Sequence, residues 1–235
     1  MMSDVDLKKK AVGEKAVEYI QDGMTIGLGS GSTVYWMMKK LGALVSTGLN
    51  VRGVPSSLRT EKWAKEFGIP LVYFSEVSRL DVSIDGADEV DRNFNLVKGG
   101  GGSLLREKLV NDAADKRIIV VDDSKRVQQL GAFPVPVEVV QFGWENTAKK
   151  LVSIGCEPAL RFVDGERFVS NNGNYILDCQ FSNISDPFTL HEQIKRTLGV
   201  VETGLFLNMT ETIIVGEEEG MTILKKCAPV ESVKY

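Results

Sequence analysis

The chain has 235 residues, 43% of them hydrophobic, with a formal net charge of −4 and one histidine. That is enough for one large core, or for a core plus a smaller second unit. The scattered Lys and Arg argue against nucleic acid as a partner, no apolar run is long enough to span a bilayer, and Met1-Met2-Ser3-Asp4-Val5-Asp6 lacks the apolar segment of a secretory leader.

Apolar residues recur at helical spacing from Leu7 to Tyr19, and Asp22-Gly23 ends that helix. Met24 to Leu28 reads as a strand, and the turn Gly29-Ser30-Gly31-Ser32-Thr33 opens a helix from Val34 to Leu41. Leu49 to Val54 alternates like a strand, Ser56 or Ser57 caps a helix to about Phe67, and Ile69–Phe74 and Leu80–Ile84 read as further strands. A helix from Ser103 to about Ala114 and a buried strand Arg117–Val121 complete the series. Strands and helices alternating in this way predict an α/β fold: a parallel sheet covered on both faces. The pattern changes near Gly131. The proline-punctuated segment from Phe133 to Val140, a helix over 143–153, strands near 159–163 and 175–179 and a helix from Pro187 to Thr197 describe a small α+β unit over 131–205. Thr212–Gly216 and Met221–Leu224 then return strands to the large domain, which comprises 1–130 and 206–235.

Cys156, Cys179 and Cys227 are odd in number, far apart and without a C-x-x-C partner. They are expected as reduced thiols of a cytoplasmic protein, neither zinc ligands nor a disulfide framework. His191, alone and in the smaller unit, rules out a multi-histidine metal site and argues against a Ser-His-Asp triad; it is expected at the surface or as a capping residue. Trp36, Trp63 and Trp144 fall on helices and are expected in core or interface. Any chemistry therefore has to run on carboxylates and lysines.

Three unusual loops follow predicted strands, so all three are expected at the carboxyl edge of the sheet, where parallel-sheet domains bind ligands. In the first, Ser30, Gly31, Ser32 and Thr33 offer hydroxyls and free helix-start N–H groups to an anion. The dinucleotide fingerprint fails because its third glycine position is Ser32, and no Gly-Lys-Ser/Thr ends a P-loop. A well-capped helix start would look the same. The second loop, Asp85-Gly86-Ala87-Asp88-Glu89-Val90-Asp91, crowds four acids into seven residues. A calcium loop counted from Asp81 puts Arg92 where the bidentate Glu belongs. Carboxylates that bind sugar hydroxyls or shuttle protons fit better, Asp85 and Asp88 first, although a solvated acidic turn accounts for Glu89 and Asp91. The third loop, Lys98-Gly99-Gly100-Gly101-Gly102, precedes a helix that Ser103 can cap, placing Glu107 near the glycines. Four glycines cost backbone entropy and suit a backbone that must approach a ligand closely, or a flexible linker. Glu107 is a candidate proton acceptor, with Lys98 and the loop N–H groups placed to stabilise an oxyanion. Lys125, after the strand ending at Val121, can meet a phosphate at the same edge.

Taken together, Gly29-Ser30-Gly31-Ser32-Thr33, Asp85-Gly86-Ala87-Asp88-Glu89, Lys98-Gly99-Gly100-Gly101, Arg106-Glu107-Lys108 and Asp123-Ser124-Lys125 resemble type A ribose-5-phosphate isomerase in order and spacing. So do Leu7 to Gly13 and Phe133 to Val139, and the likeness covers nearly the whole chain. The resemblance implies a Rossmann-like domain carrying a smaller, ferredoxin-like α+β domain, assembled as a homodimer or homotetramer with the small domain at the subunit interface. It implies interconversion of D-ribose 5-phosphate and D-ribulose 5-phosphate without cofactor or metal. Carried over, Glu107 is the base between C2 and C1. Asp85 and Asp88 handle ring opening and sugar hydroxyls, and Ser30 to Thr33, Gly86, Ala87, Lys98 to Gly101 and Lys125 bind substrate. Two departures are minor: Ser30 stands where relatives often have Thr, and the glycine run is one longer than in some. A sugar-phosphate deaminase would want a histidine near its acids, a CoA-transferase would lack the Asp85/Asp88 pair, and a sensor domain would lack the base.

Overall fold

A computed structural model of the chain describes residues 2–226; Cys227 lies outside them. Helix α1 (Asp4–Ala16) starts at Ser3, whose hydroxyl accepts the Asp6 N–H. Then come β1 (Thr25–Leu28), α2 (Ser32–Ser46), β2 (Arg52–Pro55), α3 (Leu58–Glu66) and β3 (Leu80–Asp85). Of the two candidate caps for α3, Ser57 serves, accepting the Thr60 N–H. The short strands β4 (Glu89–Val90) and β5 (Leu96–Val97) precede α4 (Leu104–Asp112) and β6 (Ala114–Asp122). The second unit holds β7 (Val135–Val139), α5 (Trp144–Val152), β8 (Cys156–Leu160), β9 (Phe162–Val163), β10 (Glu166–Arg167), β11 (Tyr175–Phe181), α6 (Pro187–Lys195) and β12 (Val200–Thr203). The chain closes through β13 (Leu205–Phe206), β14 (Thr212–Glu217) and β15 (Gly220–Lys225).

The main sheet runs β15-β14-β6-β3-β1-β2, parallel except for β15, which pairs antiparallel with β14 at one edge. Strand alternation divides its core in two. Ile118 and Val120 of β6 pack with Ile26, Leu28, Val82 and Ile84 under α1 and α2. Ile119 and Val121 face the other way, onto Phe206, Leu96 and Val90. That second face is covered by α4 and by a three-stranded ribbon, β13-β5-β4, which the sequence reading lacks. Its two-residue strands are too short to show a period. Burying each of the four β6 side chains contributes about 1.5–3 kcal/mol, so this strand anchors both layers. The strand expected over residues 69–74 is reduced to one bridge, Gly53 to Leu71, beyond edge strand β2. Pro70 has no N–H to extend a ladder there.

The second sheet, β12-β7-β11-β8, is antiparallel throughout and has the β-α-β-β-α-β order of a ferredoxin-like unit. Helices α5 and α6 supply Leu151, Leu190 and Ile194 to its core, where Cys156 and Cys179 are buried and unbridged. His191 is neither free at the surface nor a cap: half-buried, its Nδ1 lies 2.8 Å from Thr203 Oγ1. The crossing back to the first unit is tightly bonded. The Gly204 N–H donates to Pro136 O at 2.7 Å, and the Lys98 N–H to Gly204 O at 2.9 Å. Lys108 Nζ donates to the carbonyls of Thr203 and Leu205 at 2.7 and 2.9 Å.

One close approach sets up the site from the first helix. A Cβ on Gly13 would stand 2.7 Å from Thr33 O, so only glycine lets α1 lie against the start of α2. Lys9 is one turn earlier on the same face and is thereby carried to the sheet edge.

Candidate active site

The carboxyl ends of β1, β3 and β6 lie side by side, and the loops leaving them wall a cavity of about 160 Å³. Residues 30–33, 86–88, 98–101 and 120–122 line it with Glu107 and Lys125, so all three unusual loops meet there. Lys9 from α1 and Arg59 from α3 also face it, and sequence reasoning passed over both. Lys9 was hidden in a run of three lysines, where only its spacing to Gly13 set it apart. Arg59 had a signal: it occupies the first turn of α3, where the helix dipole disfavours a cation.

A buried charge cluster forms the cavity floor. Lys98 is 2% exposed; its Nζ lies 3.1 Å from Asp85 Oδ2 and 3.6 Å from Glu107 Oε1 and donates to Gly86 O at 2.6 Å. Burial pulls the ammonium toward losing its proton, but Asp85 and Glu107 outweigh this and hold its pKa above the ordinary lysine value. Glu107 has the opposite balance. Burial and the nearby charges of Asp85 and Asp88 raise its pKa to about 7, against the lowering pull of Lys98. Its Oε1 faces Lys98, whereas Oε2 is buried without a hydrogen-bond partner. A carboxylate with one bare oxygen and a pKa near neutrality is suited to take and return a proton.

The two leading acids of the second loop separate in role. Asp85 does not line the cavity. Its Oδ1 accepts the N–H groups of Ser30 and Gly86 at 2.9 and 2.8 Å, and its other oxygen meets Lys98. A Cβ on Gly29 would come within 2.3 Å of that carboxylate, so the first loop needs glycine there to wrap it. Asp88 does face the cavity, and its Oδ2 accepts the Gly100 N–H at 2.7 Å. Glu89 is no solvated surface acid: it is buried and accepts the N–H groups of Gly131 and Phe133.

Two further expectations need correction. The Ser30 hydroxyl does not point toward an anion; it is 3.0 Å from both Ser56 Oγ and Ser57 Oγ in a buried hydroxyl cluster against α3. The donors left at the head of α2 are its N–H groups and the side chains of Ser32 and Thr33. Ser103 stands at the N-cap position of α4 but makes no side-chain capping bond, because its φ of −113° and ψ of 14° depart from the extended capping conformation. Of the cations lining the cavity, Lys9, Arg59 and Lys125 form no ion pair among the described residues, while neighbouring Lys8 is neutralised by Asp123 at 2.9 Å. Uncompensated cations in a cavity that also holds a helix start are the chemistry that suits an anion.

A larger, open groove of about 910 Å³ near Asn95 and Gln128 lacks such a cluster. Its buried carboxylate, Asp91, is committed to the N–H groups of Asn93 and Asn95, both at 2.8 Å.

Residues 52–220 match the family model for ribose 5-phosphate isomerase A, also described as phosphoriboisomerase A. The chain is 52% identical to ribose-5-phosphate isomerase A 1 of Oceanobacillus iheyensis over 94% of its own length and all of that protein. The ribose 5-phosphate isomerase structure from Plasmodium falciparum superposes with a TM-score of 0.92 at 40% identity, covering 95% of this chain and 100% of that one. A D-ribose-5-phosphate isomerase in complex with phospho-erythronic acid gives a TM-score of 0.92 at 36% identity over 96% of this chain and 100% of the other.

Proposed function

This chain belongs to the ribose 5-phosphate isomerase A family, and from that premise we propose how its cavity interconverts D-ribose 5-phosphate and D-ribulose 5-phosphate in the pentose phosphate pathway. The observation that carries the reading is the Glu107 carboxylate, one oxygen beside Lys98 and the other unpartnered. Glu107 removes the proton from C2 of the open-chain aldose, and the electron pair moves through C1 onto the carbonyl oxygen, giving a 1,2-enediolate. A proton passes from O2 to O1, and the same carboxyl returns its proton to C1, leaving the ketone at C2. A positioned base supplies roughly 10²–10⁴-fold. The remainder comes from positioning and from the Lys98 ammonium and glycine-loop N–H groups that meet the developing oxyanion. Asp88, on the cavity wall, exchanges the hydroxyl protons and opens the sugar ring. Asp85 acts from beneath, fixing Lys98 and the first two loops.

The phosphate is held at the head of α2 by the free N–H groups, Ser32, Thr33, Lys9 and Lys125. Charge-assisted hydrogen bonds of this kind contribute about 1.5–3 kcal/mol each. Lys125→Ala is therefore expected to raise KM about 10- to 100-fold with kcat nearly unchanged; a loss confined to kcat would contradict an anchoring role. The phospho-erythronic acid held by the related isomerase pairs a phosphate with an anionic carboxyl end, the two features this cavity offers to bind. The proposal extends to a cytoplasmic homodimer or homotetramer joined through the 131–205 unit, supported by Phe142 and Leu198, which stand 96% and 80% exposed on its surface.

Turnover of ribose 5-phosphate in D₂O tests the chemistry. Ribulose 5-phosphate carrying solvent deuterium at C1 is expected. Product without deuterium would mean either a hydride shift or return of the abstracted proton before it exchanges, and no product would reduce the protein to a sugar-phosphate binder.

A further inference from the structure

We infer that Arg161, carried by the second sheet, is a positioning residue for this reaction: it aims two successive peptide N–H groups of the glycine loop at the cavity. The inference rests on the isomerase reading above. Arg161 sits between β8 and β9 with its own backbone fixed, its N–H donating to Ile176 O and its carbonyl accepting the Phe168 N–H, both at 2.9 Å. Its side chain is only 10% exposed and forks onto Asp178, with Nε 2.9 Å from Oδ2 and Nη2 on Oδ1. That leaves Nη1, which donates to Gly99 O at 2.9 Å and to Gly100 O at 3.1 Å.

Those two carbonyls determine what the cavity sees. In a planar trans peptide the C=O and the following N–H point in opposite directions, and no peptide bond among the described residues is cis. Turning the carbonyls of Gly99 and Gly100 toward one guanidinium therefore turns the N–H groups of Gly100 and Gly101 away from it. The first donates to Asp88 Oδ2 at 2.7 Å. The second has no acceptor among the described residues, and Gly101 lines the cavity. Successive N–H groups aimed one way form an anion-binding nest, and the cation behind them polarises both peptides in the sense that favours an enediolate in front. Phe168 braces the arrangement. Its ring lies where a Cβ on Gly102 would be, 2.2 Å away, and Arg161 stacks over it with 5.8 Å to the centroid.

A plain tie between the two units is made elsewhere. Asn171 Oδ1 accepts the Leu58 N–H at 3.1 Å, and Arg106 Nε reaches Asn172 Oδ1 at 2.8 Å. Neither contact touches the glycine loop, so the Arg161 grip on consecutive carbonyls is separable from the joining of the units.

The test compares Arg161→Met and Arg161→Lys with the parent and with Asn171→Ala, which cuts a tie and leaves the loop alone. Misplacing oxyanion donors by about an ångström costs on the order of 10²-fold. Arg161→Met is expected to lose about 10- to 100-fold in kcat with KM within about threefold, and Lys, which keeps the charge without the fork, recovers only part of it. Asn171→Ala keeps parental kcat. Amide hydrogen exchange at Gly100, whose N–H is held on Asp88, should accelerate about tenfold or more in both Arg161 variants and stay parental in Asn171→Ala. Parental exchange at the loop with parental kcat in the Arg161 variants overturns the inference, as does a kcat loss that Asn171→Ala reproduces. If Arg161→Met does not fold, Arg161→Lys decides alone. A parent that fails to isomerise ribose 5-phosphate sinks the isomerase reading instead, and loop exchange still reports whether Arg161 orients those amides.

Discussion

Glu107→Gln is expected to give a folded protein that still binds ribose 5-phosphate but turns over about 10²–10⁴-fold more slowly, because the amide keeps the shape of the side chain and cannot accept the C2 proton. The parent's pH profile supplies the second half of the result. The working base is the deprotonated carboxyl, so kcat/KM should drop tenfold per pH unit as pH falls below about 7 and level off above it. In the Gln variant that limb disappears. A stability consequence follows from the same shift. A carboxyl whose folded pKa is raised holds its proton more tightly folded than unfolded, so stability declines as pH rises from 4.5 through about 7. Glu107→Gln escapes this decline and should melt closer to, or above, the parent at pH 8 than at pH 5. Steady-state rates across pH, with melts at the two ends, check all three statements. Near-parental kcat with the acid limb intact would move the base to Asp88, the other acid facing the cavity.

Lys98→Met should have the largest structural effect of any single change at the site. Its ammonium lies between Asp85 and Glu107, all three nearly inaccessible to water, and no second cation is paired with either acid among the described residues. Removing one member of a buried ion cluster costs about 3–5 kcal/mol, since the remaining charges stay desolvated and uncompensated. For a chain of this size that corresponds to roughly 6–20 °C in Tm. Without Lys98 the proton on Glu107 is held still more tightly, so whatever activity survives should have its acid limb displaced to higher pH. An unchanged Tm together with an unchanged limb would mean that Lys98 is not the counter-ion assigned here.

Much of this was legible in the chain because the loops announce themselves. Four glycines in a row, four acids in seven residues and a hydroxyl-rich turn each break the pattern around them, and each follows a strand. The carboxyl edge of a parallel sheet does the rest. Side-chain direction was not legible. Ser30 and Ser32 are equivalent as letters, yet one hydroxyl is turned into α3 and the other left at the cavity, a choice made by contacts with Ser56, Ser57 and Thr60 some thirty residues away. Asp85 and Asp88 likewise differ only through what surrounds them: two backbone N–H groups and Lys98 claim the first. Arg161 lies about sixty residues from the glycines it grips and carries no local signature at all. The ribbon β13-β5-β4 escaped for a different reason, since its strands are two residues long and β13 pairs with β5 across more than a hundred residues, which leaves no trace in either.

The crossing at Gly204 gives the second unit an unusual kind of attachment. The outgoing strand at Pro136 and the incoming one at Gly204 are bonded to each other, and Gly204 is bonded in turn to the backbone of Lys98. A module hung from a single thread swings; one pinned by two adjacent threads at the same point can only twist about the pin. Here the pin is the peptide of Lys98 itself, so the catalyst cannot be trimmed to its larger half by excising the insert, and a rigid rotation of the insert would reach the site at the lysine's backbone and at the glycine carbonyls that Arg161 holds.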